Sequence, residues 1–368
     1  MKRVLHYGLS GNKGGIEVVA INVFRSINRE KVLFDFLISG ETIAFEEEIT
    51  KLGGTVYKLP KRRKNPLRYY VEYVRFFAKN AKKFDAIHCS YCSLYSILPI
   101  ILAKVFGVPQ IILHAQSNSF DTKRFRLRLA HYINRFLADI IATDFIACSD
   151  SAGKFMFTRK RFESQGYVVF RNLVMVRKFD FNEEVRNIVR KDLQLQNAFV
   201  LGHVGAFLPV KNHMFIIDVF CELLKLNSNS RLLLVGDGRE FNSIKKKCEL
   251  LGIEDKVIFT GMVDNTYDYM QAMDAFIFPS LYEGFGNVVI EAQAAGLSCF
   301  VSESVPNEVK LTDLVSFVSL DKSPSLWAEQ ILDKTRRTQR RGMAAEIEKH
   351  GFSTETCIRE YEKLYGVD

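Results

Sequence analysis

Residues 278–296 read FPSLYEGFGNVVIEAQAAG, and the apolar run leading into them, DAFIFPS over 274–280, stops at Pro279 and Ser280. A short apolar run closed by turn residues predicts a buried parallel strand. Gly284 and Gly286 follow, and then Val288, Glu291, Ala292 and Ala295 recur at i, i+3, i+4 and i+7 before Gly296, which predicts a helix with a glycine stop. Glu283 therefore falls in a strand-to-helix loop and Glu291 about one turn inside the helix. In an open parallel sheet, ligands bind where such loops gather at the carboxyl ends of the strands. The backbone N–H groups of Phe285, Gly286, Asn287 and Val288 suit a phosphate, because bare donors and the helix dipole both favour negative charge. Two carboxylates beside them suit hydroxyl groups, as in a ribose and a sugar. The alternative is that both are solvent-facing helix acids.

Outward from this stretch the pattern is strand, loop, helix, repeated. KRVLHYGL, LFDFLIS, TVYKL, AIHCS, QIILHA and FIACS read as strands of a first domain; AFVLGHVGAF, RLLLVGDG, KVIFTGMV, AFIFPS, SCFVSE and VSFVSL read as strands of a second. This predicts an α/β protein of two Rossmann-like, doubly wound domains. They are placed at 1–180 and 181–350 with a linker near 175–185, and an amphipathic helix over 351–368 closes the chain and can pack back on the first domain. At 368 residues and 48% hydrophobic, the chain has material for two cores. No run reaches the roughly 18 apolar residues of a membrane span, since LYSILPIILAKVFGVPQIIL (94–113) is broken by Lys104 and two prolines. The start lacks the apolar region of a signal peptide, so a cytoplasmic protein is expected. Seven cysteines, mostly in apolar runs, predict reduced, buried thiols; the lone Cys89-x-x-Cys92 pair leaves a metal or redox role as the lesser alternative.

GGIEVVAINVF (14–24), HVGAFLPVKNHMFII (203–217), LLLVGDG (232–238), VIFTGMVDN (257–265) and the opening stretch together resemble the retaining glycosyltransferases of the GT-B fold, group 1 (family 4) type, of bacterial capsule and exopolysaccharide synthesis. The resemblance implies two domains facing across a cleft and a nucleotide-diphosphate sugar donor held mainly by the second. It implies Glu291 on the ribose, Glu283 on the donor sugar, Lys211 on the diphosphate, and Gly205, Gly236 and the amides from Phe285 through Gly286 and Asn287 to Val288 around the phosphates. Charge gained by the leaving diphosphate would be met by fixed cations and dipoles, with no metal and no other cofactor. From the first domain it implies Gly14 and Gly15 near the diphosphate and His114 near the donor sugar, as the third catalytic residue beside Glu283 and Lys211. One position departs from the family: Ala206 stands where relatives have arginine. Lys211 with the helix dipole then suffices, Arg171 or Arg239 substitutes, or the donor is held weakly.

Charge divides between the halves. Residues 1–180 hold 30 Lys and Arg against 15 Asp and Glu, whereas 181–368 hold 21 against 27. Much of the excess lies in 58–83, where ten basic residues interleave with Tyr69, Tyr70, Tyr73, Phe76 and Phe77, and a second basic run follows over 123–136. Such interleaving suits an anionic membrane surface; a solvated helix face is the alternative, and no nucleic-acid motif accompanies the charge. The expected protein is a cytoplasmic glycosyltransferase, peripheral on the inner face of the membrane, acting on a glycan or lipid-linked acceptor. The alternatives are a nucleotide-sugar epimerase of the same fold and an inactive transferase-like partner subunit.

Overall fold

The computed structural model describes residues 1–120 and 122–367. The chain divides into two compact units, Met1–Leu173 with Thr354–Asp368, and Val174–Ser353. The division lies before the 180 read from the sequence, because Val174, Val176 and Phe179 are buried and the short helix Val176–Phe179 packs on helices of the second unit.

In the first unit the order is β1 (Lys2–Tyr7), α1 (Gly15–Ser26), β2 (Val32–Ser39), α2 (Glu46–Lys51), β3 (Val56–Leu59), α3 (Pro66–Asn80), β4 (Ala86–Tyr91), α4 (Leu98–Val105), β5 (Gln110–Ala115), α5 (Phe125–Ile141), β6 (Asp144–Ala147) and β7 (Val168–Val169), with further short helices before β7. The strands form one parallel sheet ordered β3-β2-β1-β4-β5-β6-β7. The chain first steps outward from β1 to β3, then crosses to β4 and steps the other way to β6. Right-handed crossovers therefore put α1 on one face of the sheet and α3, α4 and α5 on the other. The helix Thr354–Leu364 packs beside α1.

The interleaved aromatics of 58–83 have a different cause from the one read in the sequence. Asn65 caps α3 through its side chain and Pro66 opens it, and the register then turns Tyr69, Tyr73, Phe76 and Phe77 into the core, leaving only Tyr70 exposed. They anchor the helix to the sheet. The cysteine expectation holds for Cys89, Cys148, Cys248, Cys299 and Cys357, which are buried; Cys92 is exposed and Cys221 half-buried.

The second unit repeats the plan with β8 (Phe199–Val204), β9 (Ser230–Val235), β10 (Val257–Phe259), β11 (Ala275–Phe278), β12 (Ser298–Ser302) and β13 (Val315–Val318), ordered β10-β9-β8-β11-β12-β13 and all parallel. Its strands are near-continuous apolar runs, as a sheet covered on both faces requires. One core layer lies between the sheet and the helices His213–Leu226 and Pro324–Arg337, around Phe220, Phe300 and Trp327, whose indole N–H donates to the Ser319 carbonyl at 3.1 Å. The strand order reverses between β8 and β11, which places the loops after those two strands together at the carboxyl edge.

Candidate functional site

The loop after β8 turns at Gly205, Ala206 and Phe207 and lies backbone to backbone on the loop after β9. Phe207 donates its N–H to Asp237 O at 2.9 Å and accepts from Glu240 N at 3.1 Å. Gly236 sits at φ +138°, and a Cβ there would stand 2.1 Å from the Gly205 carbonyl oxygen; one on Gly238 would stand 2.6 Å from Phe207 O. The need for glycine at 236 is thus met within the protein, by loop against loop. At Gly205 a Cβ would lie 3.1 Å from His203 Nε2 and 3.6 Å from Lys211 Cε, which makes its surroundings tight rather than forbidden.

The same β8 loop is tied to the loop after β11. Leu281 donates its N–H to Val210 O at 2.8 Å, and Asn212, held in a left-handed conformation at φ +57°, donates its side-chain amide to Pro279 O at 3.3 Å. This brings Lys211 and Glu283, 72 positions apart, into a charge-assisted hydrogen bond of 2.6 Å between Nζ and Oε1, with both side chains largely withdrawn from solvent. The Lys211 ammonium also lies 4.7 Å from the Phe278 ring centroid. One cation is therefore fixed at the strand ends, already shared with one carboxylate.

The helix predicted after this loop spans Asn287–Ala294, entered through Gly286 at φ +107° and left through Gly296 at φ +70°. Phe285 is buried and stacks on Phe352 with ring centroids 6.0 Å apart, which fixes the helix entry. Glu291 lies one turn in, keeps part of its surface open, and its carboxylate has no hydrogen bond or ion pair among the described residues. Surrounding protein desolvates it and pushes its carboxyl up to about 7. An acid so placed gains by meeting hydroxyl donors, which the free protein does not supply.

In the first unit, Gly14 and Gly15 open α1 as read from the sequence. The space beside Gly14 holds the chain's own carboxylate: a Cβ there would lie 2.8 Å from Glu17 Oε2, while Glu17 Oε1 accepts from Ser10 N and Ser10 Oγ, both at 2.8 Å. His114 is the last residue but one of β5 and is buried. Its Nδ1 is 2.9 Å from His88 Nε2, His88 Nδ1 is 2.8 Å from the Tyr365 hydroxyl, and Gln116 Nε2 is 2.9 Å from His114 Nε2. Burial drives His88 down to about 3 and His114 well below its ordinary value, so both rings are neutral. His88 and Tyr365 were not singled out in the sequence. The signal was there in part, since His6 and His88 sit opposite each other and His114 opposite Ser90, which puts all three rings on one face.

The two candidates for the missing arginine separate. Arg171 belongs to the first unit and pairs with Glu360 at 3.2 Å. Arg239 is exposed on the β9 loop, next to the Gly238 that abuts Phe207, with no partner among the described residues. A recess of about 990 Å³, lined by Gly296, Thr312, Arg337 and Lys349 among others, opens at the amino ends of β12 and β13, away from Glu283. Among the described residues no three His, Cys, Asp or Glu side chains are grouped to hold a metal ion.

Two parallel Rossmann-like sheets, the second carrying a lysine-carboxylate pair and a desolvated glutamate at its strand ends, give the α/β architecture of the GT-B fold. Residues 185–336 match the family model described as glycosyl transferases group 1. EpsF of Bacillus subtilis (strain 168), named as a glycosyltransferase, is 32% identical over 365 residues, covering 97% of this chain and 92% of its own. The protein belongs to the group 1 glycosyltransferases. The capsular polysaccharide biosynthesis glycosyltransferase CapH of Staphylococcus aureus is 25% identical over 341 residues, 90% of each chain. HepE of Anabaena, solved in complex with UDP-glucose, shares the fold with a TM-score of 0.77 over the whole of both chains at 19% identity.

Proposed function

We propose that this glycosyltransferase acts in bacterial polysaccharide synthesis, moving a sugar from a nucleotide-diphosphate donor to a lipid-linked glycan with retention of the anomeric configuration. The observation that carries the donor half is the Lys211–Glu283 pair at the strand ends of a unit whose next helix bears the unpartnered Glu291. Ribose hydroxyls donating to Glu291 would relieve its desolvation, and the ionised carboxylate is the form that accepts best. Lys211 and the amides at Gly286–Val288 would face the diphosphate. As the glycosidic bond breaks, the departing diphosphate gains charge, and a fixed ammonium and helix N-terminus lower that barrier without reorganising. Glu283 holds Lys211 in place and is left to accept from the donor sugar. The polysaccharide context rests on relatives such as CapH, the nucleotide sugar on family membership and the UDP-glucose complex of HepE, and retention on the resemblance of the motifs. A site at the inner membrane face, reached from the cytoplasm, accords with the basic first half and with a lipid-linked acceptor.

A panel of nucleotide sugars assayed with and without lipid-linked acceptors tests this reading, with the product's anomeric configuration read by NMR. Transfer only in the presence of acceptor, with retention, is the expected result. Conversion of the donor's sugar without acceptor would instead establish an epimerase, and no turnover with any donor would favour the inactive-subunit reading that Ala206 raises. Because Lys211 and backbone amides are assigned to the phosphates, activity is expected to survive a chelator; loss restored by manganese or magnesium overturns that assignment.

A further inference from the structure

Helix α5 is inverted: its polar and small residues face the protein and its large apolar residues face out. Inward, His131 Nδ1 accepts from Leu94 N at 3.0 Å, Asn134 donates to Leu94 O at 2.6 Å, Arg135 donates to the Phe157 carbonyl, and Ala138 is fully buried. Outward stand Phe125, Leu129, Tyr132, Ile133, Phe136, Leu137 and Ile140, spaced at i, i+4, i+7, i+8, i+11, i+12 and i+15 on one side of the helix. All seven are exposed, Phe125 at 75%, Phe136 at 66% and Ile140 at 79%. An ordinary surface helix does the reverse, and a contiguous exposed apolar stripe marks a surface that something covers. Lys123, Arg124, Arg126 and Arg128 crowd its first turn and are exposed as well.

We infer that α5 is the element by which this protein lies in an anionic membrane, parallel to its surface, with the stripe sunk among the acyl chains and the basic first turn at the headgroups. The apolar stripe spans about 22 Å at 1.5 Å per residue, and a helix of this composition is the kind that lies in the interface rather than across the bilayer. No helix of the described residues is long and apolar enough to cross a membrane. A second copy of the chain is the less suitable cover, because a parallel pairing of two such stripes brings the two basic first turns together and an antiparallel pairing leaves each of them without an anionic partner. Anionic lipid supplies both the apolar and the complementary charged partner, each cation near it adding about 1 kcal/mol. The neighbouring helices extend the same face. On α3, Leu67, Tyr70, Val71 and Val74 are exposed at i, i+3, i+4 and i+7, with Arg62, Arg63, Lys64 and Arg68 around them. Helix α4 packs against both α3 and α5, so all three line one side of the sheet. Helix α5 also follows the loop that leaves β5 just past His114, so a membrane on it lies beside the strand ends where an acceptor would arrive.

Binding to vesicles needs no turnover, so its outcome is independent of the donor and acceptor reading on which the functional assignment rests. The full chain is expected to co-sediment with phosphatidylglycerol–phosphatidylcholine vesicles, less as salt is raised, and not with pure phosphatidylcholine. Phe125→Ser, Phe136→Ser and Ile140→Ser should each reduce the partition coefficient about tenfold, from the area withdrawn from water, and Arg124→Gln with Arg126→Gln should reduce it in low salt alone. Since Trp327 is the single, buried tryptophan, Phe136→Trp adds one exposed probe. Its emission should shift to the blue on vesicles and be quenched by lipids brominated on their acyl chains. Vesicle binding unaffected by the α5 variants but abolished by replacing Lys61, Arg62, Arg63 and Lys64 would move the contact to α3. A dimer in solution that the α5 variants dissociate, without vesicle binding, would make the stripe a contact between copies. Either result, or absence of binding to anionic vesicles, overturns the proposal.

Discussion

Glu291 carries a measurable signature of its placement. In an unfolded chain its carboxyl titrates in the ordinary range near 4.5, whereas in the folded protein burial raises it to about 7. The folded state therefore holds an extra proton between those values. The stability this group contributes is fully present below about pH 4.5 and lost as pH rises to 7. Glu291→Gln should remove that dependence and leave the protein about 3 kcal/mol more stable than the parent at pH 8, read from urea unfolding at pH 5 and pH 8. An unchanged difference between the two pH values would show that the carboxyl is solvated. The same variant should weaken nucleoside diphosphate binding, and the parent's affinity should fall below pH 7 more steeply than the variant's, because the ionised acid is the acceptor. Glu283→Gln should behave otherwise: it releases Lys211 from its 2.6 Å partner, so the diphosphate should bind as well or better while turnover drops. Calorimetry on the two variants distinguishes ribose from sugar, and equal loss of nucleotide binding in both would break the assignment. Arg239 can be tested beside them. If it stands in for the arginine absent at Ala206, Arg239→Ala should weaken diphosphate binding roughly ten- to a hundredfold and Ala206→Arg should add little; the opposite pattern would show a phosphate site short of one cation.

At the scale of elements, periodicity and punctuation located most of the fold. Twelve of the strands appear where apolar runs met turn residues, and the helix Asn287–Ala294 is bounded by the two glycines that predicted it. Strand β7 was missed because Val168–Val169 is two exposed residues paired only to β6, too short to show alternation. Composition could say that α3 and the run 123–136 were basic and aromatic, but not which way each face turned. In α3 the aromatics went inward, and in α5 the apolar residues went outward, because neighbouring loops at Leu94 and Phe157 offered α5 hydrogen-bonding groups rather than an apolar floor. The glycines show the same limit: a sequence reveals that glycine is present, and only packing reveals why. Gly236→Ala should cost about 2 kcal/mol or more and reduce nucleotide affinity, since the new Cβ meets the Gly205 carbonyl at 2.1 Å and must push the β8 loop away. Gly252→Ala, at φ +64° with nothing within 4 Å, carries only the left-handed penalty of about 1 kcal/mol and should leave affinity unchanged. Matching affinity losses for the two would mean that contact between the loops does not shape the site.

At the scale of the molecule, the chain's last segment belongs with its first. Residues 354 onward return to the unit that begins at Met1, and Tyr365 reaches His88, 277 positions away, a link no local pattern could announce. Neutral imidazole carries one N–H. The Gln116 amide N–H donates to His114 Nε2, so the proton of His114 sits on Nδ1 and is donated to His88 Nε2, and His88 in turn donates Nδ1–H to the Tyr365 hydroxyl. The C-terminal segment in this way supports the tautomer and orientation of the histidine that the family resemblance places near the donor sugar. Tyr365→Phe keeps the ring in its contacts and removes only the hydroxyl, leaving a buried nitrogen of His88 unpaired at a cost of about 1–3 kcal/mol. The first unit should melt at lower temperature while nucleoside diphosphate affinity, assigned to the second unit, stays at the parent's value. A purely structural hydroxyl would end there. If it also positions His114, kcat at 25 °C, where the variant is still folded by circular dichroism, should fall with little change in the donor's KM, and the His114 ring proton seen by NMR should shift between nitrogens. Unaltered kcat with the ring proton in place would show that His88 and Tyr365 serve the core alone.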